Sequence, residues 1–442
     1  MPPGRDLHVR PDGQRNARAR TSTLALVIPT LPHHPFDLAD PDLIRDPYPF
    51  FAHVREELPI FYEPRLGKVV VSRYADIAAI LRSKRFGTSI LHVLSRDELG
   101  WPPPDPRQAA FDRFESNHLL SNEPPKHTRL RTLVGKTFTP RRIEALVDRT
   151  TAIVEETLAR VAAQPTFDLV ADVAEPLPVI LICELLGVGI EHAAQLRAWS
   201  AAIVKLYELE STPEQQRAAN DAVIAFSAFV REIVAARRIA PTDDLISALA
   251  AVEEAGDNLS EDELIGTCIL LLNAGHEATV NGTVNGIVAL LREPGAWERF
   301  RAIAARPAGD PAIRLAIEEL LRFDSPTPVF ERWVLEPTEV GGVLLEPGMR
   351  VVLLYASGNR DPRAFASPDA LDFTRDPNQH LAFGLGIHYC LGAPLARLEL
   401  QIALPALARR FPHLHRAEPD APLEFTGLVI HGIKRLLLAH ER

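Results

Sequence analysis

Apolar residues recur every three to four positions through most of residues 129–291, the spacing that places them on one face of a helix. Pro140, Pro165, Pro176, Pro178, Pro213 and Pro241, with Gly187 and Gly189, interrupt the period and mark helix starts or breaks. One piece is uninterrupted. Residues 264–291 are apolar almost throughout, with small residues and a single acid, Glu277, near the middle. Upstream, Asp46-Pro47-Tyr48-Pro49 caps a short helix ending near Arg55. Residues 60–62 and 68–72 read as a hairpin, and residues 74–82 as an amphipathic helix. Residues 89–121 contain Pro102-Pro103-Pro104 among scattered apolar side chains, which predicts a long irregular segment; inside a compact domain such a segment is usually functional. Residues 206–217 are polar and acidic, an exposed turn between two helices. Helices continue to Phe323, and short strands follow at 329–334, 343–345 and 351–355. An aperiodic meander rich in Pro, Asp and Arg occupies 359–383. A helix then runs from near Ala393 to about Arg410, with a kink or break expected at Pro405, and residues 423–438 read as a terminal hairpin.

This pattern predicts a mainly α chain with small β-sheets. Its 442 residues are 46% hydrophobic and 24% charged, enough apolar material for a large core. No linker composition interrupts residues 36–442, so one large domain is expected there. Residues 1–35 carry five arginines, but Asp6 and Asp12 are unlike a transit peptide, and the segment reads as a disordered tail. A net charge of −10 argues against nucleic-acid binding, and no apolar run approaches the length of a membrane span. Three widely spaced cysteines (Cys183, Cys268, Cys390) argue against a disulfide framework or a zinc site and fit a reducing cytoplasm. Cys183 sits in an apolar run and reads as core.

The third cysteine is different. Phe383-Gly384-Leu385-Gly386-Ile387-His388-Tyr389-Cys390-Leu391-Gly392 holds one thiol in a glycine-punctuated loop just ahead of a helix. The glycines suggest a backbone that turns tightly and comes close to something flat or bulky. A helix N-terminus favours the thiolate, and soft sulfur held this way suits axial ligation of haem iron; a buried free cysteine is the alternative from composition alone. The spacing Phe-Gly-x-Gly-x-His-x-Cys-x-Gly resembles the haem-binding loop of the cytochrome P450 family, with all six fixed positions filled.

The resemblance covers about residues 40–440. It implies the P450 fold, haem b (iron protoporphyrin IX) as cofactor and Cys390 as the metal ligand, with Phe383, Gly384 and Gly392 shaping the loop. Glu319-Leu320-Leu321-Arg322 matches the family's Glu-x-x-Arg, which with Arg375 locks the meander behind the haem. His127 and Arg131, four apart on one helix face, suit an anionic carboxylate. By resemblance they hold the haem propionates, with Arg332 and His388. Arg129, Lys136, Arg141 and Arg142 lie nearby and read equally as a docking patch for an acidic electron donor or as ordinary solvated charge.

Asn273-Ala274-Gly275-His276-Glu277-Ala278-Thr279 resembles the family's oxygen-binding groove and departs from it at one place. Ala274 and Gly275 leave room for the cofactor, and Glu277 matches the family's acid. The alcohol that normally follows is replaced by Ala278, and Thr279 is rotated about 100° further around the helix. Protons then reach the oxygen side by a substrate hydroxyl, by water held near Asn273, or the chemistry uses peroxide. The resemblance implies insertion of one oxygen atom of O2 into a small or medium apolar substrate, by hydroxylation or oxidative demethylation. Electrons would come from a separate ferredoxin or flavodoxin with its reductase. The segment 89–121, Asn273, Ala274, Ala278 and Phe330 would form the substrate pocket. A peroxygenase of the same fold and a non-enzymatic haem sensor or carrier are the alternatives.

Overall fold

Ser260 and Glu263 start the helix predicted over 264–291: the Ser260 side chain accepts from the Glu263 N–H while the Glu263 side chain accepts from that of Ser260. The structure, a computed structural model, describes residues 28–30, 36–207, 211–254 and 256–441. The helices that frame its interior are, in chain order, α1 (Tyr74–Arg82), α2 (Ala109–Ser116), α3 (Lys126–Thr137), α4 (Pro213–Ile239), α5 (Glu261–Arg292), α6 (Pro311–Phe323) and α7 (Ala393–Arg410). The architecture is mainly helical with small sheets, as the pattern predicts.

Helix α5 has 32 residues and is about 48 Å long at 1.5 Å per residue. It crosses two separate apolar clusters. Leu264, Ile265, Cys268, Ile269, Leu271 and Leu272 pack into one, with Phe114, Leu130 and Phe226. Val280, Val284, Ile287 and Leu290 pack into the other, with Leu320, Leu400 and Leu404. Residues 273–279 belong to neither cluster, and there Ala274 is exposed and Gly275, Glu277 and Ala278 are half-buried, although both flanks are buried. The gap between the clusters is where the helix opens onto the interior.

Helix α7 runs beside α5. A Cβ placed on Gly286 would lie 3.3 Å from Leu404 Cδ1 and 3.6 Å from Leu320 Cδ1, so α5, α6 and α7 meet there too closely for a branched side chain without displacing Leu404. The break expected at Pro405 does not occur: α7 is continuous from Ala393 to Arg410. Leu404 and Leu407 are fully buried on either side of the proline, and that packing holds the helix where one backbone donor is missing.

The main sheet has the order β1 (Ile60–Glu63), β2 (Lys68–Val71), β6 (Arg350–Leu354), β5 (Val329–Val334), β3 (Phe86–Gly87). The predicted hairpin is β1–β2, paired Ile60↔Val71 to Glu63↔Lys68. Strand β6 is parallel to β2 and antiparallel to β5, with Val351 opposite Arg332 and Leu353 opposite Phe330. Two residues apart, Phe330 and Arg332 share one face of the strand. A second sheet joins β4 (Thr166–Asp168), β7 (His415–Arg416) and β8 (Leu437–Ala439).

Four expectations need correction. Part of the irregular 89–121 segment is helical: a 3-10 turn, Pro106–Gln108, leads into α2, and a second, Leu119–Ser121, follows it. The turn expected at 206–217 is shorter, because α4 begins at Pro213 with Thr212 and Gln215 forming a capping box. The terminal hairpin reduces to one bridge, Phe425↔Ile433, and β8 pairs with β4 and β7 instead. Most of the tail lies outside the described residues, but Ile28 is buried in the core and Thr30 bridges Tyr62. No helix among the described residues is long and apolar enough to cross a membrane.

Gly286→Val is expected to destabilise the fold by about 1–3 kcal/mol through overpacking, less a few tenths gained in helix propensity. A lower urea midpoint with an unchanged helical circular-dichroism spectrum checks this, and an unchanged midpoint contradicts it.

Candidate active site

Cys390 is the one half-buried thiol of the three; Cys183 and Cys268 are fully buried. Burial pushes those two up to about 11 and about 12, which leaves them inert. Gly384 and Gly386 take φ of +64° and +72°, a region that side chains rarely occupy. At Gly386 the reason is also steric, since a Cβ would lie 2.1 Å from the carbonyl oxygen of Leu81 at the end of α1. The Cys390 N–H donates to Phe383 O at 3.0 Å, which closes the loop. Helix α7 starts three residues later, as predicted. Burial nevertheless raises the Cys390 thiol, outweighing the Gly392 and Ala393 N–H groups and Arg131, which pull it down.

Beside the loop, α3 presents His127 and Arg131 on one face. The rings of His127 and His388 lie 4.4 Å apart between centroids. Both ring nitrogens of His127 and Nδ1 of His388 are buried without a partner. His388 Nε2 is 3.1 Å from Glu123 Oε1, a carboxylate that also accepts from Thr88 Oγ1 at 3.0 Å. Burial, then His388 and Arg131, lower His127 to about 4, so it is neutral at pH 7. Arg131 is half-buried and makes no hydrogen bond or ion pair among the described residues; burial lowers it while Cys390 opposes the shift. Arg332 is buried 4.9 Å from the Phe330 ring, and its Nη1 donates to its neighbour's carbonyl, Glu331 O, at 2.8 Å. Phe330 stacks on Tyr355 at 6.1 Å. Orphaned nitrogens this well buried are costly unless a ligand completes them.

Behind the loop, Glu319 and Arg322 are fully buried. Arg322 donates to both Glu319 oxygens at 2.8 Å and to the carbonyls of Asn359 and Pro368, each at 2.8 Å. Arg375 Nε reaches Glu319 Oε2 at 3.0 Å, and its Nη1 holds Ala366 O at 2.9 Å. All three residues meet in one buried cluster.

A family model, Cytochrome P450, matches residues 91–438. The chain belongs to the cytochrome P450 family. It is 36% identical over 400 residues to the polyketide biosynthesis cytochrome P450 PksS of Bacillus subtilis (strain 168), covering 88% of this chain and 95% of that one. It is 35% identical over 407 residues to the vitamin D(3) 25-hydroxylase of Pseudonocardia autotrophica, covering 90% and 95%. Among solved structures, P450BioI in complex with hexadec-9Z-enoic acid ligated acyl carrier protein superposes with a TM-score of 0.82 at 32% identity, covering 90% of this chain and 99% of that one. The chain is therefore a haem-thiolate monooxygenase that binds haem b, in line with hydroxylases among its relatives.

On the oxygen side of this P450, Thr279 is buried and its Oγ1 donates to Gly275 O at 3.1 Å, so its hydroxyl is engaged by its own helix. A Cβ at Gly275 would meet nothing within 4 Å, so no protein atom explains the glycine. Asn273 is buried, and neither amide atom has a partner. His276 points elsewhere; burial, then Arg197, lowers it to about 4. The roof is built where α2 approaches α5. There Glu115 accepts from Ser121 Oγ at 2.6 Å and Tyr207 Oη at 2.7 Å.

Sequence reasoning missed three groups. Glu123 orients His388. Glu399 on α7 is buried with Oε2 unpartnered, and burial pushes it well above the carboxylate range. Glu318, next to Glu319, takes Arg397 Nε at 2.7 Å and Nη2 at 2.8 Å and lies 3.0 Å from His380 Nε2, while Arg397 also donates to Tyr389 Oη at 2.9 Å in the cysteine loop. The Glu-Glu doublet was the only available signal. Of the basic patch, Arg129 pairs with Asp257 and Glu263 and Arg142 with Asp243, so much of its charge is neutralised internally.

Burial raises Glu318, but the bonds from Arg397 and His380 win and hold it at about 2 against an ordinary 4.5. A depressed acid stabilises the fold fully above its unfolded value and loses that contribution as pH falls through the folded one. Unfolding followed between pH 5 and 2 is expected to show a shallower stability loss in Glu318→Gln than in the parent. Parallel curves would contradict the assignment.

Proposed function

We propose that Cys390 is the thiolate ligand of haem iron and that His127, Arg131, Arg332 and His388 hold the propionates. One observation carries this reading: the half-buried Cys390 thiol stands beside buried histidine nitrogens that have no partner in the protein. Carboxylates would satisfy those nitrogens by charge-assisted bonds, and the space beyond Gly275 suits a flat macrocycle. An anion there would also oppose the depression of His127, which Glu123 alone counters only in part. A bound iron cation would likewise invert the local preference for a neutral thiol.

The reaction is monooxygenation of a small or medium apolar molecule, by hydroxylation or oxidative demethylation, with electrons from a separate ferredoxin or flavodoxin. When bound, haem supplies the oxidising power for insertion of one atom of O2. The residues of the chain orient and supply protons. Phe330 and the apolar face of α5 exclude bulk water from the pocket. Glu277, half-buried in the open stretch of α5, passes protons inward through water. Ala278 offers no hydroxyl to receive them, and Thr279 is engaged by Gly275 O. The last donor is therefore a substrate hydroxyl, or water held beside Asn273. The same gap favours peroxide use as a second reading, which would give product with peroxide at rates rivalling the reconstituted electron-transfer system.

Cys390→Ala is expected to lose the thiolate signature in the carbon monoxide difference spectrum, and His127→Ala/Arg131→Ala to release haem faster to an apo-globin acceptor. A retained signature would sink the ligand assignment. Ala278→Thr tests the proton path. Product formed per reduced cofactor consumed should change by about twofold or more, a small part of the roughly 10²–10⁴-fold that positioned proton transfer contributes. Unchanged coupling and rate would remove the substrate hydroxyl from the path.

A further inference from the structure

Asn273 is 5% exposed, and both its amide oxygen and its amide nitrogen are buried without a partner. Neither group is readily left unsatisfied in an apolar helix, because each unmade bond forfeits its desolvation cost. Its surroundings on α5 offer no protein substitute. Ile269 and Gly266, four and seven residues earlier, share its face. A Cβ at Gly266 would lie 2.8 Å from Asn117 O, so this face touches the backbone that closes the roof. Glu277, four residues later, continues that face, and neither it nor Ala274 is buried. Asn273 therefore stands at the line where the roof meets the reacting space.

The same α5 face also lines a cavity of about 350 Å³ between α2, α4 and α5, whose walls combine Phe114, Val223, Ile265 and Ile269 with charged Arg113 and Asp262. Asn273 lies outside that lining, one turn beyond Ile269. The apolar residues Ile269 to Leu272 of α5, followed by one amide whose donor and acceptor are both unpartnered, select a particular shape of chemistry. The complement is an apolar body carrying a group that both accepts and donates, and a hydroxyl is the smallest group that does so.

The geometry points to Asn273 as the specificity-determining residue of this P450, reading a hydroxyl on an otherwise apolar substrate. This rests on the monooxygenase reading above and narrows it from any apolar molecule to an already oxygenated one. The reaction that supplies the substrate would then be one that leaves an alcohol on a carbon skeleton.

The test uses the haem-loaded enzyme and a matched set of probes: cyclododecane, cyclododecanone and cyclododecanol, with adamantane, 2-adamantanone and 2-adamantanol as a second set. Binding is read from the haem spin-state shift. In the parent enzyme each alcohol should bind about tenfold or more tighter than its hydrocarbon, with the ketone between, since it can accept but not donate. Asn273→Leu should erase the order within each set, and Asn273→Ser should restore part of it. Equal response within both sets, including no response to any probe, overturns the inference. So does an order that survives Asn273→Leu, or a change confined to coupling, which would mark a residue that only holds water. A normal carbon monoxide spectrum in each variant separates these outcomes from failure of the haem-thiolate assignment.

Discussion

Everything on the thiol side of this molecule depends on one buried carboxylate. Glu319 accepts from Arg322 through both oxygens, from Arg375, from Asn378 Nδ2 at 3.1 Å and from the Asp372 N–H at 2.9 Å. Burying such charges is expensive, and the attraction between them offsets the cost only because nearly every donor and acceptor is used; removing one partner of such a cluster typically costs about 3–5 kcal/mol. In return the cluster organises a segment that has almost no regular structure. Residues 359–383 satisfy only a few of their own carbonyls through local turns, and Arg322 and Arg375 take up those of Asn359, Pro368, Ala370 and Ala366. From there the Asn359 side chain accepts from the Leu381 N–H, and Leu381 O accepts from the Gly384 N–H, so the cysteine loop hangs from the cluster by two bonds.

The two faces of the cofactor site are built on different principles. The thiol side is over-determined by charge pairs and by glycines at positive φ. The oxygen side is a stretch of α5 left uncovered because it lies between two apolar clusters, and it is defined by what is missing: a hydroxyl at Ala278, a side chain at Gly275, a partner for Asn273. A protein can change its substrate on one face while the other keeps the iron ligand fixed.

Much of this was legible in the chain. The 28-residue apolar run gave α5, and the β-branched pair of segments gave β1–β2, because both rest on local periodicity. The Glu319–Arg322 spacing carried little on its own and became readable only through its distance from Cys390. What the sequence concealed is long-range. Glu318 meets Arg397 across 79 positions and Glu123 meets His388 across 265, and no period marks such pairs. Helix α2 hid inside a proline-rich segment because eight residues are too few for a convincing pattern. At Pro405 the break did not follow, since the proline's cost is local and the packing that offsets it is not. Asn273 was visible as a departure, but only the structure shows that its amide is left without a partner.

The family match begins at residue 91, yet the cysteine loop is fitted against a residue that precedes it. Gly386 has no side chain because the Leu81 carbonyl occupies that space, and β6, which leads toward the meander, takes β2 as its parallel neighbour. The span that the family model matches is therefore not the span that folds. A fragment trimmed to residues 91–438 would keep every residue named at the iron and lose the floor against which the loop is set.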